Sequence, residues 1–194
     1  MVSRIVLASA SPRRQELLDQ IGLRFEVLPS AVSEEGQCLP PGDWAEYLAV
    51  LKARDIAAGL SGTGYVIGAD TMVVKDGKVY GKPLDVQDAA RMLTSLQGDK
   101  HEVITGIAVI RIQDGTVRSG YETTTVSMRD LSQREITRYV ETGEPMDKAG
   151  AYAIQGRGAV FITGICGCHF NVVGLPLARL VTMLKSLGWN EDDV

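Results

Sequence analysis

The segment Ser9-Ala10-Ser11-Pro12-Arg13-Arg14 puts two arginines where a helix is about to begin, directly after the apolar run Ile5 to Ala8. A helix N-terminus already carries partial positive charge and unpaired N–H groups, so acids are the favoured residues in its first turn. Arginines there are unfavourable unless an anion shares the spot, and a phosphate would meet N–H donors and guanidinium forks together. Arg13, beside Pro12 at the corner, is assigned to such an anion site. Arg14 has two open readings, contact with the anion or a pair with a carboxylate.

Asp70, in Gly68-Ala69-Asp70-Thr71, follows the apolar run Tyr65–Ala69. A carboxylate at the end of a strand stands where open α/β sheets hold their ligands. It could ligate Mg²⁺ or take a proton from an attacking water; an Asp that only caps a turn is the plainer alternative. Gly81-Lys82-Pro83 resembles part of a phosphate loop but fails the full pattern in spacing and in its last residue. Lys82 can still reach a phosphate as a point charge, or simply lie exposed. Lys52 closes an apolar helical stretch from Trp44 and either snorkels or points into a cleft. Glu34-Glu35 offers a second metal carboxylate or a solvated pair.

Positioning these groups requires a scaffold, and short β-like runs alternate with helical stretches, the pattern of an α/β protein. Arg4–Ala8 reads as a strand, followed by a helix with Ser11 at its cap, Pro12 at its first position and Gly22 past its end. Phe25–Leu28 is a second strand. Asp43 is placed as the cap of a helix to about Gly59. Tyr65–Ala69 is a short buried strand, and Met72–Val74 with Lys78–Tyr80 flank the hairpin turn Asp76-Gly77. Asp85 caps a helix to Leu96, and His101–Ile112 pairs with Thr116–Met128 around Asp114-Gly115. Ser132 and Glu135 form a capping box for a helix ending at Gly143. Leu177–Leu187 is the last helix.

Gly158 to Ala178 carries no Asp, Glu, Lys or Arg. Its glycines and Pro176 argue against a spanning helix, and a buried hairpin, Ala159–Ile165 turning at Gly167 into His169–Val173, is predicted instead. His169 then reads as a satisfied core residue, Cys166 and Cys168 as small buried hydrophobes, and His101, at a strand start, as structural. The order of elements implies a mixed sheet flanked by helices, with a cleft between its two ends.

Composition narrows the function. Twenty Lys+Arg against 24 Asp+Glu leave a net charge of -4 over 194 residues, which disfavours a general nucleic-acid binder without excluding a local cationic pocket. The length suits one large domain or two small lobes. Three cysteines without framework spacing fit a reducing setting, and no signal peptide is recognisable, so a cytoplasmic protein away from membranes is expected. G-x-S-x-G, H-E-x-x-H and Walker A patterns are all missing from the sequence.

Read in order, these residues resemble the Maf family of nucleoside triphosphate pyrophosphatases. The matching stretches are Leu7-Ala8-Ser9, Ser11-Pro12-Arg13-Arg14, Gly68-Ala69-Asp70-Thr71 and Gly81-Lys82-Pro83. They continue with Glu144-Pro145-Met146-Asp147-Lys148-Ala149-Gly150-Ala151-Tyr152, Ile154-Gln155-Gly156 and Val173-Gly174-Leu175-Pro176. The resemblance implies a single domain of two lobes around a central cleft, an elongated fold like that of inosine triphosphate pyrophosphatases, and a homodimer. It implies hydrolysis of a nucleoside triphosphate to the monophosphate and pyrophosphate. Asp70 matches the proton acceptor. Arg13, Thr71 and Gln155 match the positions of base choice, and Arg, Thr and Gln there mark the branch acting on dTTP and UTP. Arg13, Arg14, Lys52 and Lys82 would meet the phosphates together with Mg²⁺ or Mn²⁺, for which Asp70 and Glu34 are the candidate ligands. Modified pyrimidine nucleotides are a further substrate class. The alternative is a nucleotide-binding regulator of septum formation that does not hydrolyse. Ala153, and Gly-Cys-His-Phe at Gly167 to Phe170, depart from the family's usual residues, and altered packing is expected there.

Overall fold

The computed structural model describes residues 4–34, 36 and 39–190. The first strand, β1 (Ile5–Leu7), is three buried aliphatic residues lying between β2 (Glu26–Val27) and β3 (Tyr65–Lys75), both parallel to it. Strands covered on both faces read as unbroken apolar runs, and that is why β1 and the start of β3 show no alternation. With β5 (Lys100–Arg111), β6 (Val117–Met128) and β7 (Ile162–Cys166), the strand order is β2-β1-β3-β5-β6-β7. The seventh strand, β4 (Lys78–Tyr80), returns antiparallel along the second half of β3. The class is α/β with a mixed sheet, as the alternation of elements predicts.

The chain divides into two compact units. The first takes the described residues up to Asp70, Thr105–Glu122 and those from Gly174 onward; the second takes Thr71–Ile104 and Thr123–Val173. In the first, α1 (Pro12–Gln20), α2 (Pro41–Ala57) and α6 (Leu177–Ser186) bury Leu17, Leu18, Leu48, Leu180 and Leu184. Val6, Ala8, Ala49, Ala53, Val66, Ala108 and Ile110 form one apolar cluster, where small residues bring α2 close to the strands. Two glycines make that approach possible. A Cβ on Gly68 would overlap the carbonyl oxygen of Ala49, and one on Gly106 would overlap the carbonyl of Ala45. In the second unit, α3 (Val86–Leu96) and α4 (Gln133–Val140) enclose Leu93, Leu96, Val103, Val126, Ile136, Tyr139 and Phe161.

Most local signals stand where the sequence puts them. Asp76 and Gly77 both have positive φ (51° and 74°) between β3 and β4, the backbone that this two-residue turn requires. Asp85 accepts a hydrogen bond from the Asp88 N–H at the start of α3, and Ser132 with Glu135 completes its capping box on α4.

Three expectations are corrected. The helix expected from Asp43 begins at Pro41, with Pro40 at the cap, so Asp43 lies in the first turn, where its charge still suits the dipole. Tyr65–Ala69 and Met72–Val74 are one continuous strand, because β1 pairs with its first half and β4 with its second. The buried hairpin is absent. Its first arm narrows to β7, which pairs with β6 and is largely exposed; the second is a short helix, α5 (His169–Val173). Asn171, fully buried, explains the second arm: its Nδ2 donates to the Val103 carbonyl and to Thr124 Oγ1, both 2.9 Å away. His169 and Cys166 are consequently exposed and Cys168 half-buried, not core residues. Cys38 and Glu35 lie outside the described residues.

Candidate active site

The parallel pair β1 and β3 sets the site. Leu7 is in register with Ile67, and the Ala8 N–H donates to the Ile67 carbonyl at 2.8 Å, so the loop from Ser9 leaves the sheet beside Asp70. Asp70 itself lies in the middle of the continuous β3, just past the stretch paired with β1, and not at a strand end as the sequence suggests. Carboxyl ends of parallel strands are where ligands bind in such sheets. Asp70 lies two residues beyond Gly68 and therefore on the same face of β3, the face that meets α2. Lys52 lies three residues beyond Ala49, on the helix face pressed against Gly68. The glycine contact thus brings the two charges together: Lys52 Nζ is 2.6 Å from Asp70 Oδ1.

Both members are buried, Asp70 at 7% and Lys52 at 8% exposure, so each charge depends on the other. The same ammonium is 2.6 Å from Oε1 of the exposed Glu34. Of the open readings, Lys52 points inward rather than snorkelling, while Glu34 reaches the cluster and remains exposed to solvent. Asp70 uses only Oδ1 for this pair, and Oδ2 accepts no hydrogen bond among the described residues. That oxygen is available to a water or a metal ion.

Arg14 is buried behind the loop. Its Nε donates to the Gly174 carbonyl at 2.8 Å and its Nη1 to Ser9 Oγ at 2.9 Å, while the Ser11 N–H also reaches Ser9 Oγ, at 3.3 Å. Burial lowers its pKa from the ordinary arginine value; the Asp70 and Glu34 carboxylates oppose that shift and Arg13 adds to it. Arg14 therefore shapes the loop from behind and adds positive potential to the cluster. Arg13, half-buried, is the outer arginine. The N-terminus of α1 has no side-chain cap from Ser11 and no acid in its first turn.

Asp70 and Glu34 converge on one point and present hard oxygen donors. Mg²⁺ is commonly held by one or two carboxylates together with substrate phosphates, so the pair fits such an ion. Among the described residues no group of three His, Cys, Asp or Glu side chains comes together.

Thr71, Lys82 and Gln155 belong to the second unit. Thr71 is half-buried in β3, whereas Lys82 and Gln155 are exposed and their side chains make no hydrogen bond among the described residues. The Gly150 N–H donates to the Gly81 carbonyl at 3.0 Å, tying the Gly81-Lys82-Pro83 segment to the Ala149–Ala151 turn. His101 stands apart as a structural residue. It is 2% exposed, its Nε2 is 2.6 Å from the Tyr152 hydroxyl, and its Nδ1 has no partner among the described residues. Burial, aided by Lys75 and opposed by Asp99, pushes its pKa down to about 4.

Sequence reasoning missed Ser9 and Gly174 as the acceptors of Arg14. No local signal connects Arg14 to Gly174, 160 residues away, and Ser9, only five residues away, becomes a partner once Arg14 turns inward.

A family model described as Maf-like protein matches residues 4–187. The chain is 51% identical over 193 residues to a dTTP/UTP pyrophosphatase of Pelotomaculum thermopropionicum, covering 97% of this chain and 99% of that one. It is 50% identical over 188 residues to a dTTP/UTP pyrophosphatase of Moorella thermoacetica, covering 96% of each. Among solved structures, the Ham1 protein of Staphylococcus aureus aligns with a TM-score of 0.56 and 16% identity over 95% of this chain and 100% of that one. A HAM1 protein from Coxiella burnetii aligns at 0.52, again with 16% identity, over 95% and 99%. At that identity the structures are alike in fold alone.

Proposed function

The chain belongs to the Maf-like family, and from that premise we propose that it hydrolyses dTTP and UTP to the nucleoside monophosphate and pyrophosphate. Relatives alike along nearly their whole length carry that activity in their names. The observation that carries the reading in this chain is the buried Lys52–Asp70 pair, with Glu34 on the same ammonium and Arg14 near enough to feel both carboxylates, beside the carboxyl end of β1.

Asp70 is the proton acceptor. Lys52 fixes Oδ1 and leaves Oδ2 to hold a water and take its proton as that water attacks the α-phosphorus. The bond to the bridging oxygen breaks, and pyrophosphate departs with the electron pair. Arg13 at the α1 N-terminus and Lys82 bind the phosphate oxygens and stabilise the charge that develops on them. Asp70 and Glu34 would hold a Mg²⁺ or Mn²⁺ ion, which when bound neutralises phosphate charge. Thr71 and Gln155 contact the base. The Gln155 amide, with one donor and one acceptor side, matches the N3–H and O4 edge shared by uracil and thymine.

Pyrophosphate and monophosphate release from a panel of ribo- and deoxynucleoside triphosphates, with and without Mg²⁺ or Mn²⁺, tests the reading. Cleavage of dTTP and UTP between the α and β phosphates is expected. Release of orthophosphate instead, or binding without turnover, would overturn it, the latter in favour of a nucleotide-binding regulator. A homodimer and a cytoplasmic location complete the proposal, checked by analytical ultracentrifugation and cell fractionation.

A further inference from the structure

Gln155 sits in a segment whose main chain is pinned on both sides by a pair of residues remote from it in sequence. Tyr139, on α4, is 4% exposed, with its ring packed edge-on against Phe161 at 4.8 Å. Its hydroxyl donates to Glu144 Oε1 at 2.8 Å and accepts from the Ala153 N–H at 3.2 Å, two residues before Gln155. The Glu144 carboxylate accepts from the Arg157 N–H at 3.0 Å through Oε2 and from the Gly158 N–H at 3.1 Å through Oε1. Those donors are two and three residues after Gln155.

The fit leaves no slack. Gly156 has a φ of +83°, and a Cβ there would stand 2.9 Å from Glu144 Oε2. A Cβ on Gly158 would come within 2.6 Å of the Ala153 carbonyl oxygen and 2.7 Å of the Tyr139 hydroxyl. Glu144 is itself held: its carbonyl accepts from Lys148 Nζ at 2.8 Å, and its N–H donates to Thr142 Oγ1 at 3.2 Å. Burial alone would raise the Glu144 pKa, but the two main-chain N–H donors, the tyrosine hydroxyl and Lys148 outweigh it and hold the carboxyl below the ordinary glutamate value. Between these anchors Gln155, in extended conformation with its side chain exposed, is the residue presented.

We propose that Glu144 and Tyr139 are positioning residues for base selection, fixing the main chain before and after Gln155 so that its amide reaches the pyrimidine edge from one place. The proposal rests on the reading of Gln155 as a base contact. A hydrogen-bonding site discriminates well only when its groups are held to the partner's geometry. If the segment sways, the amide no longer sits at a fixed distance and angle from the base, the hydrogen bonds that tell a 4-oxo from a 4-amino group weaken, and selectivity falls before catalysis does.

The test compares kcat/KM for dTTP and dCTP, which differ at that edge, in Glu144→Ala, Glu144→Gln, Tyr139→Phe, Gln155→Ala and the double variant Glu144→Ala/Gln155→Ala. Tyr139→Phe keeps the packed ring and loses only the hydroxyl, so it reports even if Glu144→Ala folds poorly. The expected loss of dTTP preference is about 10-fold or more in Glu144→Ala and about 3-fold in Tyr139→Phe, carried by KM more than kcat. Partial recovery is expected in Glu144→Gln. The double variant should discriminate no worse than Gln155→Ala, since residues acting through one another are not additive. Loss of preference in Gln155→Ala with wild-type preference in both Glu144→Ala and Tyr139→Phe would overturn the positioning role alone. Wild-type preference in Gln155→Ala would overturn the base contact and the proposal with it.

Discussion

Asp70 and Lys82 stand at opposite extremes of environment, and substitutions at the two should separate accordingly. Asp70→Asn keeps the side-chain shape but removes the carboxylate proposed as proton acceptor; turnover of dTTP should fall on the order of 10²-fold or more with KM nearly kept, in steady-state assays of pyrophosphate release. Lys52→Ala leaves Asp70 buried without its partner, so it should lose activity and also about 3 kcal/mol of stability in urea unfolding. Lys82→Ala touches an exposed side chain, and the melting temperature should stay put while KM rises and turnover slows. If Lys82→Ala has unchanged kinetics, that lysine plays no part. At this scale the sequence was informative about residue type and poor about partner. Two arginines at a helix start are plain in the sequence as an unusual choice, but only the fold reveals that Arg14 turns inward to Ser9 and Gly174.

At the scale of elements, the decisive contact is α2 on β3 and β5. Gly106→Ala should cost about 1–3 kcal/mol by overpacking against Ala45, measured by denaturant unfolding. Gly68→Ala should cost a similar amount and also reduce turnover, because pushing Ala49 away carries Lys52 off Asp70. Full activity in a folded Gly68→Ala protein would show that the ion pair does not depend on this approach. Elements bounded by turn and cap chemistry were legible: Asp76-Gly77, Asp85 and the Ser132/Glu135 box each act over a few residues, within reach of a local pattern. The uncharged stretch around β7 and α5 was not, since a short apolar run has no periodicity to distinguish strand from helix. There the long-range bonds of Asn171 decide.

For the molecule as a whole, acid should be felt first at His101. Its folded pKa of about 4 lies below the ordinary value of 6.5, so between those limits the unfolded chain binds the proton and the folded one does not. Stability contributed by the neutral imidazole is present above pH 6.5 and is lost as pH falls toward 4, by on the order of 3 kcal/mol for one group shifted this far. Glu135 acts lower, since hydrogen bonding from Arg129 and the Ser132 N–H holds its carboxyl at about 2, and its contribution fades as pH drops below the ordinary glutamate value. Urea unfolding from pH 7 to 4 should show the decline, and His101→Gln should flatten it. An unflattened decline would place the sensitive group elsewhere.

Neither unit is a contiguous piece of the polypeptide. The first starts at the amino end and is finished by the segment from Gly174, which brings α6 and the carbonyl that Arg14 grips. The second has all its residues once Val173 has been made. On the ribosome, then, the order of completion inverts the order of synthesis: the part begun later can close while the part begun first still waits for its last helix. A nascent chain halted at Val173 would carry Glu34, Lys52 and Asp70 and still lack the backbone oxygen that seats Arg14, so the buried arginine finds its place only after Gly174 has been added.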